Sequence, residues 1–424
     1  KIVCFDMGGT STDVAHCLGK IEYRSKTEIE GISIVAPMVD IHTVAAGVGS
    51  GVNFDGVQQK VGPNSARSEP GPACYKRGGP LTITDCNLVL GFLNPKYFPN
   101  YFGKDNNQSL DQEIVIKEFE KLITNSNSRE SLNMNIYQAA EGFIKIANEK
   151  MANAIKKISI DKGHDVRSYS LSCYGGAAGQ HCCDVADLLG VKEILINNNA
   201  SVLSALGIGL ANIKKVLEES IEVIFSFNPL EQIAKKFTLL EEKLKKEMIL
   251  EIPNKKNLSV KKLINLKYLG TSEPILVEFS TCNEMRKEFQ KKFQNQFGFT
   301  ESSKEIVISS ILIEMIYRSE KLGSLSQSKA SNNLVSQDNN FQKVFEDGTW
   351  KQIPLIKTDT IFDQSVIKGP AIVAGAHTTV VIKTGWECKK NVSEDLILQR
   401  EVALPKSPSK DKNTNNLLET TLFG

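Results

Sequence analysis

A chain of 424 residues with 41% apolar content has room for two or three domains of about 100–200 residues each. Its 51 Lys and Arg against 49 Asp and Glu leave a net charge of +2, which makes no electrostatic case for nucleic acid. No apolar run reaches the roughly 18–20 residues that span a bilayer, and the nine cysteines, in no disulfide spacing, read as reduced thiols of a cytoplasmic protein.

The chain starts in a strand, IVCFD, that runs into Asp6, the pair Gly8–Gly9 and the hydroxyls of Thr10, Ser11 and Thr12. TDVAHCL and IEYRSKTEI continue it as a β-meander. Residues 36–100 are dense with glycine turns (AAGVGSG, VGPNSA, EPGPAC, KRGGP), yet they carry enough Val, Ile, Phe and Tyr for an ordered, site-forming insertion. Helices are expected over 109–163, where IYQAAEGFIKIANEKMANAIKKISI is a long amphipathic run. SLSCYGGAAGQ is a strand entering a glycine turn, HCCDVADLLG a helix ending at Gly190, KEILIN a strand and ASVLSALGIGLANI a small-residue helix. That succession argues for an α/β layer.

Beyond residue 215 glycine falls and Lys and Glu rise. A helix around Leu230–Met248, strands in KKLINLKYLG and PILVEFS, a helix in EMRKEFQKKFQNQFGF and strands in IVISSILIEMIYRS describe an α+β domain. Gly323–Asn340 is expected as a mobile polar loop. Short strands fill 350–403, and a disordered tail follows Pro405. The expected division is therefore an α/β lobe over 1–214 with an insertion at 36–135, an α+β domain over 215–345, a small β-rich region over 346–404 and a tail over 405–424.

Two stretches carry chemistry. In Asp6–Asp13 (DMGGTSTD) an apolar strand ends in an acid just before two glycines and three hydroxyls. Glycine lets backbone N–H groups approach an anion closely, a hydroxyl adds a donor, and the acid suits Mg²⁺ held through water. A Gly-Gly hairpin is also an ordinary turn, so both readings stand for this motif alone. In Ser172–His181 (SCYGGAAGQH) a strand meets glycines and a helix start, either to seat a planar ligand and an anion or for tight strand–helix packing. His42 and His181 lie beside glycine loops, but no histidine shares metal-ligand spacing with a cysteine.

DMGGTSTDV resembles the second phosphate motif of the actin, heat-shock chaperone and sugar-kinase ATPases, and YGGAAGQH resembles their adenosine motif. With DIHTVAAGVGSG, GPACYKRGGPLTITDCNLVLGFLNP, PKYFPNYFGKDNNQSL and ASVLSALGIGLA in that order, the chain is similar to the hydantoinase A/oxoprolinase family. The resemblance is strong over 1–215 and weaker over 216–403, where KYLGTSEPILVEF, QNQFGF and KGPAIVAGAHTTVVIKTGW still fit.

The resemblance implies an RNase H-like α/β lobe and ATP-dependent opening of 5-oxo-L-proline to L-glutamate, with ATP and Mg²⁺ as cofactors. It implies Asp6 and Asp13 as catalytic residues, with Asp6 on Mg²⁺ through water. Gly8, Gly9, Thr10 and Ser11 would hold phosphate, and Gly175, Gly176 and Gly179 the adenosine. Asp40, Ser50, Asp85 and Asn87 are the substrate candidates, Asp85 being equally suited to cap the helix NLVLGFL. Ala178 replaces a family glycine, and its methyl is expected to crowd the ribose if that position needs close contact.

An upstream lobe with a first DxGGTFTD motif and a downstream hydantoinase B part belong to the family pattern and do not occur in this sequence. The chain is thus expected to be a fragment of a homo-oligomeric enzyme that binds ATP weakly or not at all by itself. A hydantoinase or ketone carboxylase subunit, and a non-enzymatic ATPase-fold assembly module, are the alternatives.

Overall fold

A computed structural model describes residues 1–401 except 20, 25–26, 30–31, 35–37, 56, 127–133, 160–162, 251, 253–256, 302–303, 319–339, 362–364 and 376–377. The expected loop at Gly323–Asn340, apart from Asn340, and the expected tail from Pro405 lie outside the described residues. The chain divides into two compact units, Ala205–Lys329 and the remainder.

The larger unit is built on an eight-stranded mixed sheet. Its strands run in the spatial order Val366–Lys368, Trp386–Lys390, Leu396–Arg400, Glu193–Ile196, Ser170–Tyr174, Ile2–Met7, Thr12–Cys17 and Ile41–Val44. The Ile2–Met7, Ser170–Tyr174 and Glu193–Ile196 strands are parallel, and the hairpin mate Thr12–Cys17 is antiparallel. Period-2 alternation sets the faces. Val3, Phe5 and Met7 are fully buried, whereas Cys4 and Asp6 between them are half-buried.

Against the sheet pack the helices Ile136–Ser159 and Ala178–Leu189, and the helix Ile83–Val89 packs on the first of these. The long helix contributes Phe143, Ala147, Met151 and Ile155 at helical spacing. Truncating a core ring such as Phe5, which has no exposed surface, costs about 3–5 kcal/mol in such settings.

The 346–404 segment, expected as a small β-rich region, gives three strands to this central sheet. It also completes a four-stranded sheet of Asn340–Glu346, Thr349–Lys357, Ala371–Ala374 and Thr379–Ile382. The first two of those strands are joined by Asp347–Gly348, whose φ values of 51° and 75° are the left-handed pair that a tight hairpin requires.

The smaller unit is a four-stranded antiparallel sheet in the order Ile213–Ile224, Ile306–Tyr317, Leu258–Tyr268 and Ile275–Glu278, with the helices Phe227–Ile249 and Cys282–Phe297. Thr281 and Glu284 form a capping box at the second helix, and Gly298 ends it in the left-handed region. Phe237, Phe289, Ile264 and Ile308 fill its core. No helix among the described residues is long and apolar enough to cross a membrane.

Candidate active site

The opening hairpin stands at the carboxyl end of two parallel strands, since Asp6 registers with Tyr174 on one side and with Asp13 on the other. Directly opposed residues point to the same face, so the two carboxylates sit side by side on the half-buried face. Asp6 Oδ2 accepts from the Ser204 hydroxyl at 2.7 Å, and Asp13 Oδ1 accepts from the Thr43 hydroxyl at 2.5 Å. Burial pushes the Asp6 carboxyl above its usual range, against the Ser204 hydrogen bond and with help from the Asp13 charge. A cation beside the pair would relieve that cost.

The hairpin itself is closed by Gly8 N–H donating to Ser11 O at 3.1 Å. Among the described residues, the N–H groups of Gly9 and Thr10 have no protein acceptor. A Cβ at Gly9 would touch nothing within 4 Å, and one at Gly8 would reach only Ser11 O at 3.8 Å. Protein packing therefore does not require glycine at either position. Bare backbone with free donors is what a close-approaching anion needs.

The other glycines differ. A Cβ at Gly47 would stand 2.6 Å from Ser11 N and Thr10 C, and one at Gly49 would stand 2.6 Å from Gly9 O. The loop Ala45–Ser50 lies directly against the hairpin, with Val48 N–H on Gly8 O at 3.2 Å and Gly49 N–H on Gly9 O at 2.6 Å. Thr84 holds the loop from below, its N–H and hydroxyl both donating to Val48 O at 2.8 and 3.0 Å. This stretch is a brace beneath the hairpin.

The second glycine loop reaches the same edge. Gly175 takes φ 81°, and a Cβ there would lie 2.4 Å from Met7 O and 2.5 Å from Asp6 Oδ1. Only glycine lets this loop press against Asp6. Gly176 has open space above it, whereas a Cβ at Gly179 would strike Thr379 O at 2.7 Å, so packing alone accounts for that glycine. Ala178 is fully buried, which turns its methyl into the core rather than toward a ribose. Asp6, Asp13, Gly8–Ser11, Gly175 and Gly176 thus come together at one sheet edge.

The substrate candidates do not join them. Asp85 has no exposed surface and accepts from Thr82 N and Oγ1, Ala73 N and Cys74 N at 2.7, 2.9, 3.2 and 2.8 Å. It sits at the third position of a capping box and pins the Ala73–Tyr75 turn to the helix Ile83–Val89. Asn87 donates to Gln180 Oε1 at 2.8 Å and to His181 Nε2 at 3.3 Å.

His181 passes the chain on through Nδ1 to Asn148 at 2.7 Å, Asn148 to Asp184 at 3.1 Å, and Asp184 and Glu346 to Lys383. Burial and the Lys383 charge bring the His181 imidazole down to about 3, which keeps it neutral. Asp40 is half-buried at a strand corner, its N–H on Glu22 O at 2.9 Å. Ser50 is buried at the foot of the brace, and its hydroxyl has no hydrogen-bond partner. Sequence reasoning missed Ser204 and Thr43, the hydroxyls that orient the two acids. Ser204 lies 198 residues from Asp6, and although it falls within ASVLSALGIGLA, nothing in that stretch pairs it with an acid at the start of the chain.

Residues 1–217 match the family model described as hydantoinase/oxoprolinase. The chain is similar to 5-oxoprolinase 1 of Arabidopsis thaliana, at 32% identity over 434 residues, covering 100% of this chain and 34% of that protein. It spans about a third of the length of the 5-oxoprolinases it matches. Its fold is similar to nucleotide-free acetone carboxylase, with TM-score 0.77 and 20% identity over 94% of this chain and 58% of the other. It is also similar to the ATP-dependent caprolactamase of Pseudomonas jessenii, with TM-score 0.73 and 25% identity over 95% and 59%.

Proposed function

Because this chain belongs to the hydantoinase/oxoprolinase family, we propose that it carries a nucleotide-phosphate grip of an ATP-dependent 5-oxoprolinase. The reading rests first on the open hairpin: free Gly9 and Thr10 donors, with Asp6 and Asp13 paired at their base. The α/β layer beneath it is read as an RNase H-like lobe of the actin and sugar-kinase ATPase type. The α/β lobe is read over 1–214 and the α+β domain over 215–345, and the β-rich region over 346–404, which gives three strands to the lobe's own sheet, is read as part of that lobe. The rest of the full-length relatives would supply the opposing lobe and the hydantoinase B part, and the assembly would be a homo-oligomer.

The donor set suits the cofactors. The Gly8–Ser11 backbone and hydroxyls would hold phosphate, Asp6 and Asp13 a Mg²⁺ ion through water, and Gly175–Gly176 the nucleoside side. Bound ATP supplies a phosphoryl group that makes the oxygen of an unstrained lactam a leaving group. Ser204 and Thr43 each hold one of the two carboxylates by a hydrogen bond. The brace holds the hairpin backbone still, so that its donors need no reorganisation when an anion arrives.

The relatives' names support 5-oxo-L-proline as substrate and L-glutamate as product. The caprolactamase likeness favours a second reading, a different cyclic amide handled by the same grip. A substrate panel on the full-length enzyme separates the two. Nine free thiols support a reducing, cytoplasmic setting. In the full-length enzyme, Asp6→Ala is expected to cut ATP-dependent glutamate release from 5-oxoproline at least about a hundredfold. An unchanged rate would remove Asp6 from the chemistry.

A further inference from the structure

The segment that carries Ser204 touches both the acid and the second glycine loop. It leaves the strand Glu193–Ile196 through Asn197, whose side-chain amide donates to Asp395 Oδ1 at 2.8 Å, and Asn198, whose N–H donates to the same oxygen at 3.0 Å. Ala200 is 2% exposed, and its carbonyl accepts from Gly175 N–H at 2.8 Å and from Leu203 N–H. Ser204 stands four residues further on, close to one helical turn, and its hydroxyl donates to Asp6 Oδ2 at 2.7 Å. The other carboxylate oxygen, Asp6 Oδ1, lies against Gly175, where a Cβ would stand 2.5 Å from it. Asp6, Gly175 and the turn Ala200–Ser204 therefore close a ring of three contacts.

The two ends of that turn are held differently. Ala200 is buried and its segment is tied to Asp395, so packing fixes the carbonyl. No residue of the helix Leu203–Leu210 is buried, and Ser204 itself is exposed. Its place is set by the hydrogen bond it makes rather than by a core around it.

We propose that Ser204 is a positioning residue that couples Asp6 to the Gly175–Gly176 loop, so that a cation at the acid and a nucleoside at the loop strengthen each other's binding. The inference rests on the nucleotide-grip reading above and adds a dependence between its two halves. A displacement of the Gly175 loop passes to Ala200 through their hydrogen bond and, one turn on, to the hydroxyl that fixes the carboxylate. Conversely, an acid turned by a cation presses on Gly175 through Oδ1. Two neighbouring sites joined in this way change each other's affinity by the same factor, commonly about 5–150-fold.

The test is calorimetry of ATP binding to the full-length enzyme, with and without Mg²⁺, for the parent, Ser204→Ala and Ser204→Thr. The parent is expected to bind ATP more tightly with Mg²⁺. In Ser204→Ala that gain should shrink by at least about fivefold, while AMP, measured without a cation, binds as it does to the parent. Ser204→Thr keeps the hydroxyl and should restore the gain. A gain unchanged in Ser204→Ala would overturn the inference. So would an equal loss of AMP affinity or a lowered unfolding temperature, either of which makes Ser204 a plain support of the fold. A parent that gains nothing from Mg²⁺, or keeps its gain in Asp6→Ala, removes the grip reading itself and this inference with it.

Discussion

The hairpin Gly8–Ser11 and the brace Ala45–Ser50 are equally rich in glycine, and they use it for opposite ends. At Gly9 the missing side chain leaves open space; at Gly47 and Gly49 it leaves room for another backbone at 2.6 Å. One loop meets solvent and the other meets the first. A glycine-rich stretch is therefore not a site until it is known what a Cβ there would touch. In this pair only the hairpin is free to face a ligand, and the brace accounts for its rigidity.

Substitutions at the two loops separate stability from binding. The largest expected loss is at the foundation of the brace. Asp85→Ala strands three buried donors, Thr82 N, Thr82 Oγ1 and Cys74 N, while Ala73 N keeps Pro80 O at 3.0 Å, and is expected to cost more than about 3 kcal/mol in denaturant unfolding. A loss under about 1 kcal/mol would free Asp85 for a role beyond capping. Gly49→Ala is next, at about 1–3 kcal/mol for forcing a methyl into backbone, read as a lowered unfolding midpoint.

The Asp6 substitution moves stability the other way. Its carboxyl is held above the ordinary 3.8 in the fold, so the ionised form opposes folding. Below 3.8 the group is protonated in the folded and unfolded chain alike and no penalty applies; the penalty grows as pH rises through the folded value. Asp6→Asn should therefore raise the unfolding temperature of the ligand-free chain at pH 7, with the gain fading toward pH 3.8. A lowered temperature at pH 7 would mean that Asp6 holds the hairpin together rather than waiting for a cation. The smallest effect is at Gly9→Ala, within about 0.5 kcal/mol of the parent, because nothing stands where the methyl goes. A loss of several times that size would make Gly9 a packing residue like Gly49.

What the sequence made legible was local. The strand, acid, glycine and hydroxyl order at Ile2–Asp13 has one geometric solution, a hairpin with its acids at the base. The helices at Ile136–Ser159 and Cys282–Phe297 follow from apolar spacing and a capping box. The long strand Ile213–Ile224 was lost because its Lys and Glu residues resembled a change of domain. That Leu396–Arg400 pairs with Glu193–Ile196 depends on a contact between distant segments with no local signal. The same holds for Ser204 on Asp6 and for His16 on His164, which the chain brings together only after folding. Asp85 shows the opposite limit: its motif was visible, and burial decides for the cap.

The direct test of the grip is the affinity of the full-length enzyme for ATP with Mg²⁺, measured by calorimetry for the parent and for Gly9→Ala. Both proteins are expected to unfold at the same temperature. A methyl above the Gly9 and Thr10 donors should weaken nucleotide binding by at least about tenfold, or 1.4 kcal/mol. Equal affinity in two equally stable proteins would contradict the hairpin as the place where phosphate is held.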